Sequence, residues 1–168
     1  MKTNGIISLP VINTDTSSEP VTLQEIKDYL RISNSTEDTL LATLGKAARK
    51  MLEKYTGRFF KEVNITVKIK NEIGAGDLPY PANGSVTYVD TIDSTNVITD
   101  LITPTDHIIQ LTYNTGYTTG VNLIPEDLKL AILGQAAFMY FNRGDDTKAG
   151  QYSVGAKYLA SGYKVSWI

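Results

Sequence analysis

Cysteine is missing from these 168 residues, and histidine and tryptophan each occur once. Without thiols there can be no disulfide framework and no thiolate metal site, a composition that fits a reducing compartment. A single histidine, His107, has no visible metal-ligand companion in the sequence. It sits in an apolar run beside Ile108 and Ile109, so a structural or exposed role is expected rather than general-base or ligand chemistry. Glycine-rich phosphate loops are missing too. Gly74-Ala75-Gly76 lacks the third glycine and the strand-to-helix setting of a dinucleotide loop, and no Gly-Lys-Ser/Thr cradle exists. Asp90, Asp93, Asp100 and Asp106 are scattered through turn-like sequence, where turn formation accounts for them without paired-carboxylate catalysis. The expectation is therefore no enzyme, no cofactor and no metal.

Strong net charge is lacking as well. The formal charge is −2 and the pI about 5.4, which argues against a protein that coats nucleic acid through many phosphate contacts. No stretch approaches the ~20 apolar residues needed to span a bilayer. The N-terminus has no long apolar signal region, and Pro10 interrupts the short run present. A soluble protein made in the cytoplasm, without a membrane partner, is expected.

What the chain does have is helical periodicity at both ends of a β-like middle. Residues 1–20, rich in Ser, Thr and Asn, are expected to form an arm. Thr22 and Glu25 make a capping box, with Val21 placed to staple onto Ile26, and Leu23, Ile26 and Leu30 form one stripe. Ser35 and Asp38 repeat the capping pattern. From there Leu40, Leu41, Leu44, Ala47, Ala48, Met51, Leu52 and Tyr55 keep the 3.6-residue period up to Gly57, a left-handed stop. Lys46, Arg49, Lys50 and Lys54 are assigned to the back of this helix. They form either a solvated face or a surface for an acidic partner or for DNA.

The period then falls to two. Val63, Ile65, Val67 and Ile69 alternate with Asn64, Thr66, Lys68 and Lys70, and shorter strands are expected at Val86 to Asp90, around Asn96 to Ile98, and at His107 to Tyr113. Pro125 opens the last long helix, with Glu126 and Asp127 at its positive end and Arg143 at its negative end. Between them almost no polar face remains, so Leu130, Leu133, Ala137, Phe138 and Phe141 are candidates for a subunit interface, a plain core helix being the alternative. Gly134 is a possible point of close helix packing. Beyond Arg143 the period is lost. Tyr152, Tyr158, Tyr163, Trp167 and Ile168 lie in a tail read as a docking arm, or else as a segment folded over the β region.

The fold class expected is α+β and mainly helical: an antiparallel helical bundle with a small antiparallel β region between the second and last long helices, and extended terminal arms. The arms are 1–20 and 144–168, flanking a domain over 21–143. Its helices fall at about 22–32, 36–56 and 125–143, and its β region at about 60–115.

Several pieces of this sequence resemble the head-tail connector family of tailed bacteriophages and prophages. Glu19-Pro20-Val21-Thr22-Leu23, Tyr29-Leu30-Arg31-Ile32, Ala47-Ala48-Arg49 and Glu53-Lys54-Tyr55-Thr56-Gly57-Arg58 are similar to its first half. Tyr113-Asn114-Thr115-Gly116-Tyr117, Ile124-Pro125-Glu126-Asp127-Leu128-Lys129 and Tyr140-Phe141-Asn142-Arg143 are similar to its second. The resemblance implies a head-completion adaptor in the virion neck, assembled as a ring under the portal, usually twelve-fold. Such a ring extends the DNA channel and offers a platform to a neck stopper or tail protein. It implies as partners the chain itself, the portal, the next neck or tail component and, transiently, the genome. The longer middle and the aromatic tail depart from the family's short forms. A neck stopper, a tail terminator, or a small DNA-binding regulator using the lysine face are the competing expectations.

Overall fold

The computed structural model describes residues 11–14, 18–70, 80, 82–90, 108–117 and 123–165. His107, Asp93, Asp100, Asp106, Trp167, Ile168 and the strand expected around Asn96 to Ile98 lie outside them. The fold is α+β and mainly helical. Its two compact units comprise residues 1–17 with 61–118, and 18–60 with 119–168.

The first unit holds an antiparallel sheet, in the order β1 (Val11–Thr14), β2 (Val63–Lys70), β4 (Ile108–Thr115), β3 (Ala82–Asp90). The period-two pattern sets its faces. Val63, Ile65 and Val67 are buried with Leu111 and Tyr113 of β4, while the alternate residues form a polar ladder across the strands. Asn13 Nδ2 donates to Asn64 Oδ1 (2.8 Å) and Thr66 Oγ1 (2.7 Å), Asn64 Nδ2 donates to Asn114 Oδ1 (2.6 Å), and the Thr66 and Thr112 hydroxyls share a hydrogen bond at 2.9 Å. Part of the expected N-terminal arm is thus an edge strand. The hydrophobic pattern did not reveal it, because Val11 and Ile12 stay 61% and 50% exposed and ladder bonds, not burial, hold the strand. After β4, Gly116 turns at φ +93°, where a Cβ would run into the Lys61 carbonyl.

The second unit is the helical bundle: α1 (Leu23–Leu30), α2 (Asp38–Thr56), α3 (Glu126–Phe141) and α4 (Val154–Ser161), with a 3-10 turn at Asp146–Lys148. Helix α1 begins as its capping box requires. The Thr22 hydroxyl accepts from the Glu25 N–H, and the Glu25 carboxylate accepts from the Thr22 N–H at 2.6 Å. Helix α2 starts later than its capping pattern suggests. Ser35 and Asp38 meet only through the backbone, the N-cap is Glu37, and the Asp38 carboxylate instead binds Lys27 Nζ of α1 at 2.8 Å. Gly57 ends α2 in the left-handed conformation, φ 70°. The core collects Ile26, Leu41, Ala48, Leu52, Leu128, Ala131, Ile132 and Ala136. Each large aliphatic among them contributes about 1.5–3 kcal/mol by leaving water.

The stretch 144–168, expected as an extended arm, carries the fourth helix. Helix α4 buries Ala156 and Ala160, and these alanines are too small to raise a visible hydrophobic period, which hid the helix. Its direction follows from its ends. Ser153, just before it, bonds to Gln135 in the middle of α3, and Tyr163, just after it, reaches Asp127 in the first turn of α3, so α4 runs antiparallel to α3.

Candidate functional site

Three sets of side chains lock the helical unit, and what they leave uncovered defines its candidate assembly surfaces. The first lock is Arg49. Its Nε and Nη2 bind both Glu19 oxygens (2.7 and 3.2 Å), and its Nη1 binds Glu53 at 2.7 Å. The other Glu53 oxygen accepts the Phe60 N–H at 2.7 Å. Burial pushes the Glu53 carboxyl up, against the opposing pull of Arg49 and the Phe60 N–H. Arg49 therefore leaves the expected basic stripe. At about 100° per residue it sits about 60° from Lys46 but within about 20° of buried Thr56, and it is only 5% exposed. Lys46, Lys50 and Lys54 remain as an exposed row at four-residue spacing.

The second lock joins the start of α2 to the end of α3. Glu37 accepts from the Tyr140 hydroxyl and from Arg143 Nη1, each at 2.6 Å, and the Arg143 guanidinium lies 4.4 Å over the Tyr140 ring. These contacts run the two helices antiparallel. The Tyr140 hydroxyl, then Arg143, lowers the Glu37 carboxyl below its usual range.

The third lock was not foreseen from sequence. Gln135, fully buried on α3, donates from Nε2 to the Gln151 carbonyl (3.0 Å) and accepts the Ser153 N–H at Oε1 (2.8 Å). Tyr152 between them donates to the Met51 carbonyl at 3.1 Å, and its ring lies 5.5 Å from that of Tyr55. Tyr163 is used locally as well, its carbonyl accepting from Arg58 Nε at 2.7 Å. Gln135 is the one polar side chain between Leu130 and Met139 of α3, and that was the available signal.

Of the residues expected at a subunit interface, Leu130 and Phe141 are 46% and 73% exposed, Leu133 and Phe138 are half-buried, and Ala137 is covered within its own chain. Among the aromatics expected to dock, Tyr158 is 79% exposed, whereas Tyr152 and Tyr163 bond within the unit. Gly134 is not a forced close approach, since a Cβ there would meet the Tyr29 hydroxyl at an ordinary 3.8 Å. The tight point is Gly45, where a Cβ would lie 2.6 Å from Ile26 Cδ1. Among the described residues there is no cluster of three potential metal ligands, and no helix is long and apolar enough to cross a membrane.

Among solved structures, the chain is similar to one from the neck of an empty gene transfer agent (GTA) particle computed with C6 symmetry. That likeness has 17% identity and a TM-score of 0.72 over 94% of this chain and 96% of that one. It is also similar to a chain of the native GTA virion (18%, TM-score 0.69) and to one of the native GTA neck computed with C12 symmetry (16%, 0.68), each with the same coverage of 94% and 96%. These likenesses show a shared fold. No curated protein matches. A family model described as phage gp6-like head-tail connector protein matches residues 20–162. With the match spanning both helical blocks and the sheet between them, the chain belongs to the phage gp6-like head-tail connector family.

Proposed function

We propose that this protein is a structural head-tail adaptor of a tailed phage or prophage. It assembles as a ring of twelve copies below the portal, extends the DNA channel and offers a platform to the next neck or tail protein. The observation that carries this reading is the family match over residues 20–162. The chain-long likeness to a chain from a neck computed with C12 symmetry supports it.

The arrangement of the helical unit suits such a role. A ring requires two different surfaces on every protomer, and Leu130 and Phe141 are large apolar side chains its own fold leaves open. The lysine row of α2 is assigned to the channel, where weak, non-specific contact lets a genome pass. Docking on the portal or tail is assigned to the chain end beyond α4, which includes Trp167 and Ile168. The reading assigns no catalytic residue and no cofactor.

The test is cryo-electron microscopy of particles carrying this chain. The expected result is density for its four helices in twelve copies directly below the portal. Particles whose necks are complete without this chain, or that place it elsewhere, would overturn the reading. Lys46→Glu with Lys50→Glu should alter DNA retention or ejection while leaving the unfolding midpoint of the purified protein unchanged.

A further inference from the structure

Helix α4 is built with its size order inverted. Its inner face is Ala156 and Ala160, 2% and 0% exposed, and its outer face carries Val154 and Tyr158, 87% and 79% exposed. Residues four apart lie about 40° apart on a helix, so these two side chains form one outward strip. Alanines permit close approach to the bundle, but an exposed valine and tyrosine contribute nothing to their own fold. Single exposed apolar residues need no explanation, whereas a strip of them beside charges marks a contact surface. The charges here are basic. Lys157 lies on the same helix and Lys164 follows it, their ammonium groups 5.7 and 5.6 Å from the Tyr55 ring centre. Among the described residues neither has a carboxylate within ion-pair distance.

A partner for this strip must offer acidic charge between exposed apolar side chains. The chain carries such a strip at the start of α3. Leu123 and Leu130 are 64% and 46% exposed, and between them stand Glu126, whose side chain is 83% exposed, and exposed Asp127. Among the described residues Glu126 is held only by an exposed i,i+3 pair with Lys129 at 3.0 Å, and Asp127 receives a long hydrogen bond of 3.4 Å from Tyr163. Both bonds are weak enough to exchange.

We propose that the α4 strip of one protomer (Val154, Lys157, Tyr158, Lys164) docks on the α3 strip (Leu123, Glu126, Asp127, Leu130) of a second copy. The contact is heterologous: each protomer gives one strip and receives the other, as a closed ring demands. The charges set register and exclude pairing of like strips. Duplex DNA is a poorer occupant, because phosphates would match the lysines but would not cover Val154 and Tyr158. The inference rests on the adaptor reading for its ring, yet it is tested on the purified chain.

The native protein has no cysteine, so single cysteines report one contact each. Tyr158→Cys and Leu130→Cys proteins, mixed and oxidised at high concentration, should form the mixed 158–130 dimer at least about tenfold in excess of either like pair. Lys157→Glu with Lys164→Glu should lower self-association about tenfold or more, as should Glu126→Lys with Asp127→Lys. The four changes together should restore it, with circular dichroism confirming that each variant folds. A chain that stays monomeric throughout, like pairs that dominate, or a four-fold variant that fails to recover overturns the docking. DNA binding lost through the α4 lysines without loss of self-association overturns it as well. None of these results touches the adaptor reading, which fails only if the chain is absent from the neck.

Discussion

The side-chain oxygen of Gln135 accepts the backbone N–H of Ser153 at 2.8 Å, while its amide nitrogen donates to the carbonyl two residues earlier, that of Gln151. One buried glutamine thus bonds the backbone on both sides of Tyr152 and sets where α4 begins. Gln135→Leu keeps the volume but takes the partner from the Gln151 carbonyl and from the Ser153 N–H, both in part-buried bonds. Each lost bond costs about 0.5–1.5 kcal/mol. The expected outcome is a lower unfolding midpoint, with hydrogen exchange over 151–163 accelerated more than in α2. Uniform acceleration across the bundle would contradict a local clamp.

Arg49 pairs with both Glu19 and Glu53, each at 2.7 Å. Arg49→Met leaves two carboxylates facing a partly buried space, a loss of about 3–5 kcal/mol by analogy with broken buried pairs. The pH dependence has a definite sign. Burial already raises the Glu53 pKa, and removing the cation raises it further. A group with a raised folded pKa contributes stability below its unfolded pKa and loses it as pH rises through the folded value. The deficit of Arg49→Met relative to the native protein should therefore be larger at pH 8 than at pH 5, measured by urea unfolding, and Glu53→Gln in the same chain should recover part of it.

These two residues also show what sequence could and could not tell. The bundle, the capping box at Thr22, the stop at Gly57 and the alternation along β2 were legible because each follows from local period or backbone preference. Arg49 was assigned to the lysine row because it neighbours lysines in sequence, although its wheel angle places it near Thr56 and Gly45. Its carboxylate partner Glu19, thirty positions away, lay in a segment read as an arm. Helix α4 was hidden by its alanines, and β1 by its exposure, since each is held by features that carry no hydrophobic pattern. Of the expected interface, Leu130 and Phe141 remain open, whereas Ala137 is covered by its own chain.

Glu37 gives the opposite pH signature to Glu53. The Tyr140 hydroxyl and Arg143 lower its pKa, so its contribution is present above the unfolded carboxylate value and lost as pH falls through the depressed one. Glu37→Gln should lower the midpoint at pH 7, and the gap to the native protein should narrow as pH falls through the depressed value, where the native carboxylate becomes protonated too. Hydrogen exchange should speed at the start of α2 and the end of α3, the two ends that this side chain joins. A gap independent of pH would assign the effect to shape and not to charge.

Two glycines in the same protein should respond to alanine with opposite signs. At Gly134, in the interior of α3, the added methyl would meet nothing closer than the Tyr29 hydroxyl at 3.8 Å. Gly134→Ala should then stabilise by about 1 kcal/mol, the helix-propensity difference between the two residues. At Gly116 the backbone has φ +93°, and a Cβ would strike the Lys61 carbonyl. Both conformation and space forbid it, because a left-handed residue costs about 1–2 kcal/mol for an L side chain and the carbonyl belongs to backbone two residues before β2, not to a side chain that could swing away. Gly116→Ala should destabilise the sheet unit by more than that strain alone, read as lost amide protection along β2 and β4. Equal effects at the two positions would mean that the turn after β4 relaxes freely, contrary to the geometry that makes glycine necessary there.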